Sequence, residues 1–173
     1  SDIIYDMLTP ETLQTLHKLV AGIWIVRAAY TSAAYHLIQS GQSELAVLQW
    51  REHQQQEINQ GQAYVAYELF HNLDTMSLSQ QVREQHSLLC AELARLIGND
   101  RQALTDIGSI VWNTPVLGIS AYIQEGIILN DEGALAEARQ KFTNALELAN
   151  EVIGIQMAYS HKGLSWSYLQ ERE

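Results

Sequence analysis

The chain has 173 residues, 47% of them hydrophobic, with two prolines and no low-complexity tract, which suits one folded domain burying roughly 70% of its unfolded surface. Ten Lys and Arg against twenty Asp and Glu give a formal charge of −10; with no cationic excess to displace counterions, direct nucleic-acid binding is not expected. The longest apolar run, Leu19 to Val26, has 8 residues, against the roughly 20 of a bilayer span, and no signal peptide is visible.

Thr9-Pro10-Glu11 predicts a helix start: Thr9 caps, Pro10 suits the first helical position, and Glu11 favours the positive end of the dipole. Leu13, Leu16, His17, Val20 and Trp24 follow at helical spacing. Gly22 is the one weak break, so the first helix is expected to give way near residues 22–26 to a second, from about Val26 to Gln39, that closes at Ser40-Gly41. The next stretch has Ser43 as its cap and places Ala46, Trp50 and His53 at +5, +9 and +12 from Gly41. Gly61 repeats these offsets with Ala66, Phe70 and Leu73, yet lies only 20 residues after Gly41. One long helix over residues 43–60 is therefore expected to serve two hairpins. A turn over Asp74 to Ser77, with Ser77 as cap, leads to a long helix from about Leu78 to Ile97.

Gly98 restarts the register with Ala103, Ile107 and Ile110, and Thr114-Pro115 ends that helix and begins the next. Within the stretch Gly126 to Leu148, Gly133 is followed by Ala138, Phe142 and Ala145 at +5, +9 and +12. Gly126 lets the neighbouring helix approach, Gly133 closes the first helix in a left-handed conformation, and Ala138 marks the closest crossing. A last helix is expected from about Ile153, with Gly163 and Trp166 in the places of Gly126 and Leu129 and a closing turn at Gln170. No sustained alternation marks a strand.

The stretch from Gly126 to Leu148 resembles the tetratricopeptide (TPR) helical hairpin, and Ala66, Ala103 and Ala138 recur 37 and 35 residues apart. The expectation is an all-α chain: a right-handed α-α superhelix, a single TPR-like solenoid over residues 1–173 of about four helical hairpins. The N-terminal half, IIYDMLTPETLQTLHKLVAG and AAYHLIQSGQSELAVLQWREHQQQEINQGQAYVAYELFHNL, resembles the region after the winged-helix part of signal-transduction ATPases of the STAND class. That class includes bacterial transcriptional activators responding to maltose-type sugars, in which a leucine–histidine helix like Leu16-His17 precedes a helix like AAYHL. The resemblance implies a sensor or partner-binding superhelix excised from a longer cytoplasmic regulator. The start at Ser1 and the unpaired last helix read the same way. No GxxxxGK[ST] phosphate loop and no basic recognition helix is present.

Candidate chemistry is sparse. Cys90 cannot form an internal disulfide and sits in the apolar run LLCAEL, which points to a buried thiol in a reducing compartment, the cytoplasm. His86 lies four residues before it, but nothing in the sequence orients that pair for nucleophilic catalysis. Of the six histidines, His53 with Glu57 offers at most two ligands on one helix, where structural zinc takes four. Asp131-Glu132 reads as a solvated turn. No enzyme activity, cofactor or metal is expected. Trp50, Phe70, Phe142 and Trp166 read as core; Tyr30, Tyr35, Tyr64 and Tyr67 are less easily placed, and of these Tyr35 falls at a position that the TPR resemblance turns to the concave groove, with core packing as the other reading.

Carried over from the TPR resemblance, the concave face belongs to the first helix of each hairpin. It nominates Thr31, Tyr35, Ile38 and Gln39, then Leu88, Glu92, Arg95 and Leu96, then Ile123, Ile127, Asn130 and Asp131. Only Arg95 and Asn130 fit the family's carboxylate clamp in type. The expected role is binding of a protein or peptide partner, or of another domain of the parent chain, with a sugar-like small-molecule effector as the alternative. No membrane contact is expected.

Overall fold

In the computed structural model, which describes residues 8–151, Thr9 caps helix α1 (Pro10–Val26), its hydroxyl oxygen accepting from the Thr12 N–H at 3.3 Å. The helix runs straight through Gly22, and the chain reverses at Ala28, a non-glycine residue with φ +53°. Ala28 N–H donates to Ile25 O at 2.9 Å and Ala29 N–H to Trp24 O at 3.0 Å. Helix α2 therefore covers Tyr30–Gln39 and does not begin near Val26 as the sequence predicts. Alanine carries no turn signal, whereas Gly22, the only glycine nearby, sits inside the helix.

The remaining turns use glycine. Gly41, Gly61, Gly98 and Gly133 have φ between +76° and +81°, the left-handed region that a Cβ disfavours. Each closes the preceding helix alike: at Gly133 the glycine N–H donates to Asn130 O at 3.1 Å and the Ala134 N–H to Leu129 O at 2.8 Å. This paired closure satisfies carbonyls that a helix end leaves open. The asymmetry at the first turn gives a prediction. Moving glycine from the interior of α1 to the turn, by Gly22→Ala with Ala28→Gly, raises stability by about 1–2 kcal/mol. Gly22 has nothing within 4 Å of an added Cβ, so Gly22→Ala adds no clash, and urea unfolding of the single and double variants measures the gain. A double variant no more stable than the parent would contradict it.

The expected long helix over 43–60 is two helices, α3 (Ser43–Glu52) and α4 (Gln54–Asn59), broken at His53. The His53 ring stacks on Tyr30 with centroids 3.6 Å apart and planes 11° from parallel. Ser43 is the first helical residue rather than the cap, and Gln42 precedes it with no side-chain cap bond. Helix α5 (Ala63–His71) follows; Ala46, Trp50, Ala66 and Phe70 are all buried as the register requires. Trp50 and Phe70 meet edge to face at 5.7 Å.

Helix α6 (Gln80–Leu96) begins after Ser79, so Ser77 is not its cap. The Ser79 N–H donates to the Glu44 carboxylate, which that bond holds below the usual carboxylate range. Helices α7 (Asp100–Gly108), α8 (Pro115–Asp131, with Thr114 as N-cap) and α9 (Leu135–Glu151) complete the described chain. The fold is all-α, and no strand occurs among the described residues. The helix expected near Ile153, with Gly163, Trp166 and Gln170, lies outside them.

Two compact units divide the chain, one up to Arg83 and one from Glu84. In the first, α1 packs on α2, and α2 on both α3 and α5. Its α1 buries His17 and Ala21 while leaving Leu16, Leu19, Ile23 and Val26 exposed. In the second, α8 packs on α7 and, most extensively, on α9. Ala103, Ala138, Phe142 and Ala145 are buried there, and Ile119, Ala145 and Ala149 form a core flanked by Tyr122 and Leu148.

Candidate functional site

The first unit contains two concavities of ≈460 and ≈430 Å³ that share Tyr35, Glu68 and Leu69 as lining residues. They form one groove between α2 and α5. Helix α2 contributes Ser32, Tyr35 and Gln39, spaced so that each lies about one turn from the next on one face. Helix α5 contributes Val65 and, one turn further on, Glu68 and Leu69, and Trp24 adds to the lining from α1. Tyr35 is 47% and Val65 53% exposed, an apolar surface turned to solvent beside polar groups, the composition of a binding site.

Behind Tyr35 lies a pair of histidines from different helices. His17 Nδ1 and His36 Nδ1 are 2.8 Å apart, so one ring donates its N–H to the lone pair of the other. Tyr35 packs edge-on to both, at 6.2 Å from His17 and 5.1 Å from His36. Burial, and then the charge of His17, push the His36 pKa below its ordinary 6.5. The sign follows directly. Acid protonates the unfolded chain more readily than the folded one, so stability is level above about pH 6.5 and falls as pH drops below it. Urea midpoints between about pH 7.5 and 5 test this. His36→Gln removes part of the slope, and an unchanged slope would show that His36 is not its source.

Of the predicted groove residues, the structure brings Tyr35, Ile38 and Gln39 to the groove with open access. Thr31 belongs to the floor but is buried: its hydroxyl donates to Glu57 Oε2 and accepts from Trp50 Nε1 at 2.9 Å. It acts as a structural link rather than a contact residue. Glu92, Arg95, Asn130 and Asp131 lie in the second unit. Asn130 and Leu88 are buried there, Glu92 and Arg95 are half-buried, and Asp131 is exposed. A helix presents a contact position only where no neighbour covers it, and register alone does not record which neighbours are present.

Glu57 and Glu84 are both fully buried; the sequence offers Glu57 only as a partner for His53 and gives Glu84 no role. Glu57 accepts from the Tyr30 and Thr31 N–H groups at 3.0 and 2.9 Å, and Glu84 from those of Asn113 and Thr114 at 2.8 and 3.0 Å. Glu57 thus caps the first two amides of α2, and Glu84 holds Thr114, the N-cap of α8, and Asn113 before it, each across 26–30 residues. Glu68, Trp24 and the His17–His36 pair were also missed. The two rings are 19 residues apart, beyond the reach of any within-helix spacing rule.

Cys90 is buried, as its sequence context predicts, with Sγ 3.5 Å from His86 Nε2. Burial, and then Asp106, push the thiol pKa far up, so the sulfur stays protonated. Among the described residues no group of three or more His, Cys, Asp or Glu is placed to hold a metal ion, and no helix is long and apolar enough to cross a membrane. No protein family, curated protein or solved structure matches the chain.

Proposed function

We propose that this chain is a non-enzymatic, TPR-like interaction module that binds a protein or peptide partner, either separate or another domain of its parent chain, within a cytoplasmic regulator of the STAND type. The groove between α2 and α5, with Tyr35 exposed on packed helices, is the observation that carries the reading. A tyrosine on a rigid helix offers a large contact area at little conformational cost, the usual character of an interface anchor. The fixed glycine closures hold the two groove walls in place, so little ordering is needed on binding. The test is selection from a displayed random-peptide library against the immobilised chain, followed by titration of the selected peptides on the Tyr35→Ala variant. Loss of affinity by about tenfold supports the proposal, because anchor residues contribute on the order of 1–2 kcal/mol or more. Selected peptides indifferent to Tyr35→Ala would refute it.

A small-molecule effector is the second reading, favoured by the polar groups Ser32 and Gln62 beside Tyr35 and Trp24. A sugar ring stacks on such aromatics while its hydroxyls bond to the polar neighbours. A thermal-shift panel of saccharides distinguishes the two, since a ligand at about a hundred times its Kd stabilises by about 2.7 kcal/mol.

A further inference from the structure

The geometry points to a basic partner: we infer that the groove takes an arginine or lysine side chain laid along Tyr35 and paired with Glu68, on a segment with aliphatic neighbours. The inference rests on the reading of the groove as the binding site and names the chemistry of its occupant. Tyr35, Glu68 and Leu69 line both concavities, so a segment following the groove meets the phenol and the carboxylate together. Glu68 and Asp74 are the formally charged residues in the two linings, and neither lining includes Lys or Arg. Arg27 lies near this margin, its guanidinium 5.5 Å from the Trp24 ring centroid, where an aromatic ring already faces a cation.

Glu68 is exposed and Val65 is 53% exposed. A long cationic side chain matches both: its stem covers aliphatic surface while its head reaches the carboxylate. The phenol adds attraction for a cation near its face. An acidic segment would instead bring its charge against Glu68 and Asp74. The charge of −10 on the whole chain steers a basic segment inward at low salt.

The probes are short fluorescein-labelled peptides alternating leucine with arginine, with glutamine or with glutamate, titrated by anisotropy at about 0.15 M salt, where diffuse attraction is screened beyond roughly 8 Å. The arginine peptide should bind tightest, and Tyr35→Ala and Glu68→Gln should each weaken it about tenfold. Glu68→Lys should reverse the order, so that the glutamate peptide binds tightest. Glu132→Lys makes the same charge change in an exposed turn of the second unit and should leave every affinity nearly unchanged. Equal losses from Glu68→Lys and Glu132→Lys would reduce the effect to general attraction and overturn the inference. Tightest binding of the glutamine or glutamate peptide, still dependent on Tyr35, would overturn the basic class and leave the groove standing. Binding of all three peptides indifferent to Tyr35→Ala would overturn both. Far-UV circular dichroism and urea midpoints confirm that each exposed-site variant is folded.

Discussion

Replacing Glu57 by alanine is expected to destabilise the first unit by about 3–5 kcal/mol, a large share of the roughly 5–15 kcal/mol that holds a domain together. The side chain is 1% exposed, and its two oxygens accept from the Tyr30 N–H, the Thr31 N–H and the Thr31 hydroxyl. Ala29, the N-cap of α2, makes no side-chain cap bond of its own, so Glu57 is the group that satisfies the first amides of that helix. A carboxylate is the suitable acceptor there, because the positive end of the helix dipole stabilises the buried charge. Alanine leaves donors stranded in a site too enclosed to hydrate them, at about 1–3 kcal/mol for each group. It also frees the Thr31 hydroxyl that holds Trp50 Nε1. Glu57→Gln keeps the shape but presents an amide NH2 toward one of the donors, so roughly 2 kcal/mol is lost. Urea unfolding measures the size, and hydrogen exchange at Tyr30 and Thr31 localises it. A loss under about 1 kcal/mol with both amides still protected would mean that other groups cap α2. In the second unit, Glu84→Ala should behave in parallel through Asn113 and Thr114.

What was legible in the sequence divides along the distance over which each interaction acts. The glycine register placed Ala46, Ala66, Ala103, Ala138, Trp50, Phe70 and Phe142 in the core, and all are buried. Each follows its glycine by a fixed number of residues on one helix, so spacing alone specifies the face it occupies. The turn at Ala28 was not legible, because alanine adopts the left-handed conformation there only when tertiary contacts favour it. The break at His53 was hidden for a similar reason: its ring stacks on Tyr30, a residue 23 positions earlier. The TPR resemblance turns Tyr35, Gln39 and Thr31 alike to the concave face; Tyr35 and Gln39 line the groove, whereas Thr31 is committed to Glu57. Glu57 and Glu84 look like ordinary solvated acids in sequence, and only the fold brings helix N-termini to them.

Gly126→Val is expected to cost the second unit about 3 kcal/mol, despite valine's better helix propensity than glycine's. A Cβ built on Gly126 would lie 2.6, 2.8 and 2.9 Å from Phe142 Cε1, Cζ and Cδ1, distances that real side chains do not tolerate. The phenyl ring is 3% exposed and enclosed where α8 meets α9, so it has no open space to swing into. Either the helices separate or the ring leaves its rotamer, and overpacking of this kind costs about 1–3 kcal/mol for even small additions. Gly126→Ala separates the terms: helix propensity returns about 1 kcal/mol, and a net loss of about 1 kcal/mol remains from the clash. The decisive measurement is the double-variant cycle with Phe142→Leu, whose smaller side chain relieves the contact at its own cost of about 1 kcal/mol. If the ring nests against Gly126 as closely as the structure shows, Gly126→Ala with Phe142→Leu is more stable than the sum of the single losses by at least about 1 kcal/mol. Strict additivity would mean that the ring accommodates the methyl group by moving. The close approach of α8 to α9 would then rest on the alanines Ala138 and Ala145, not on Gly126, and the glycine would be dispensable to the hairpin.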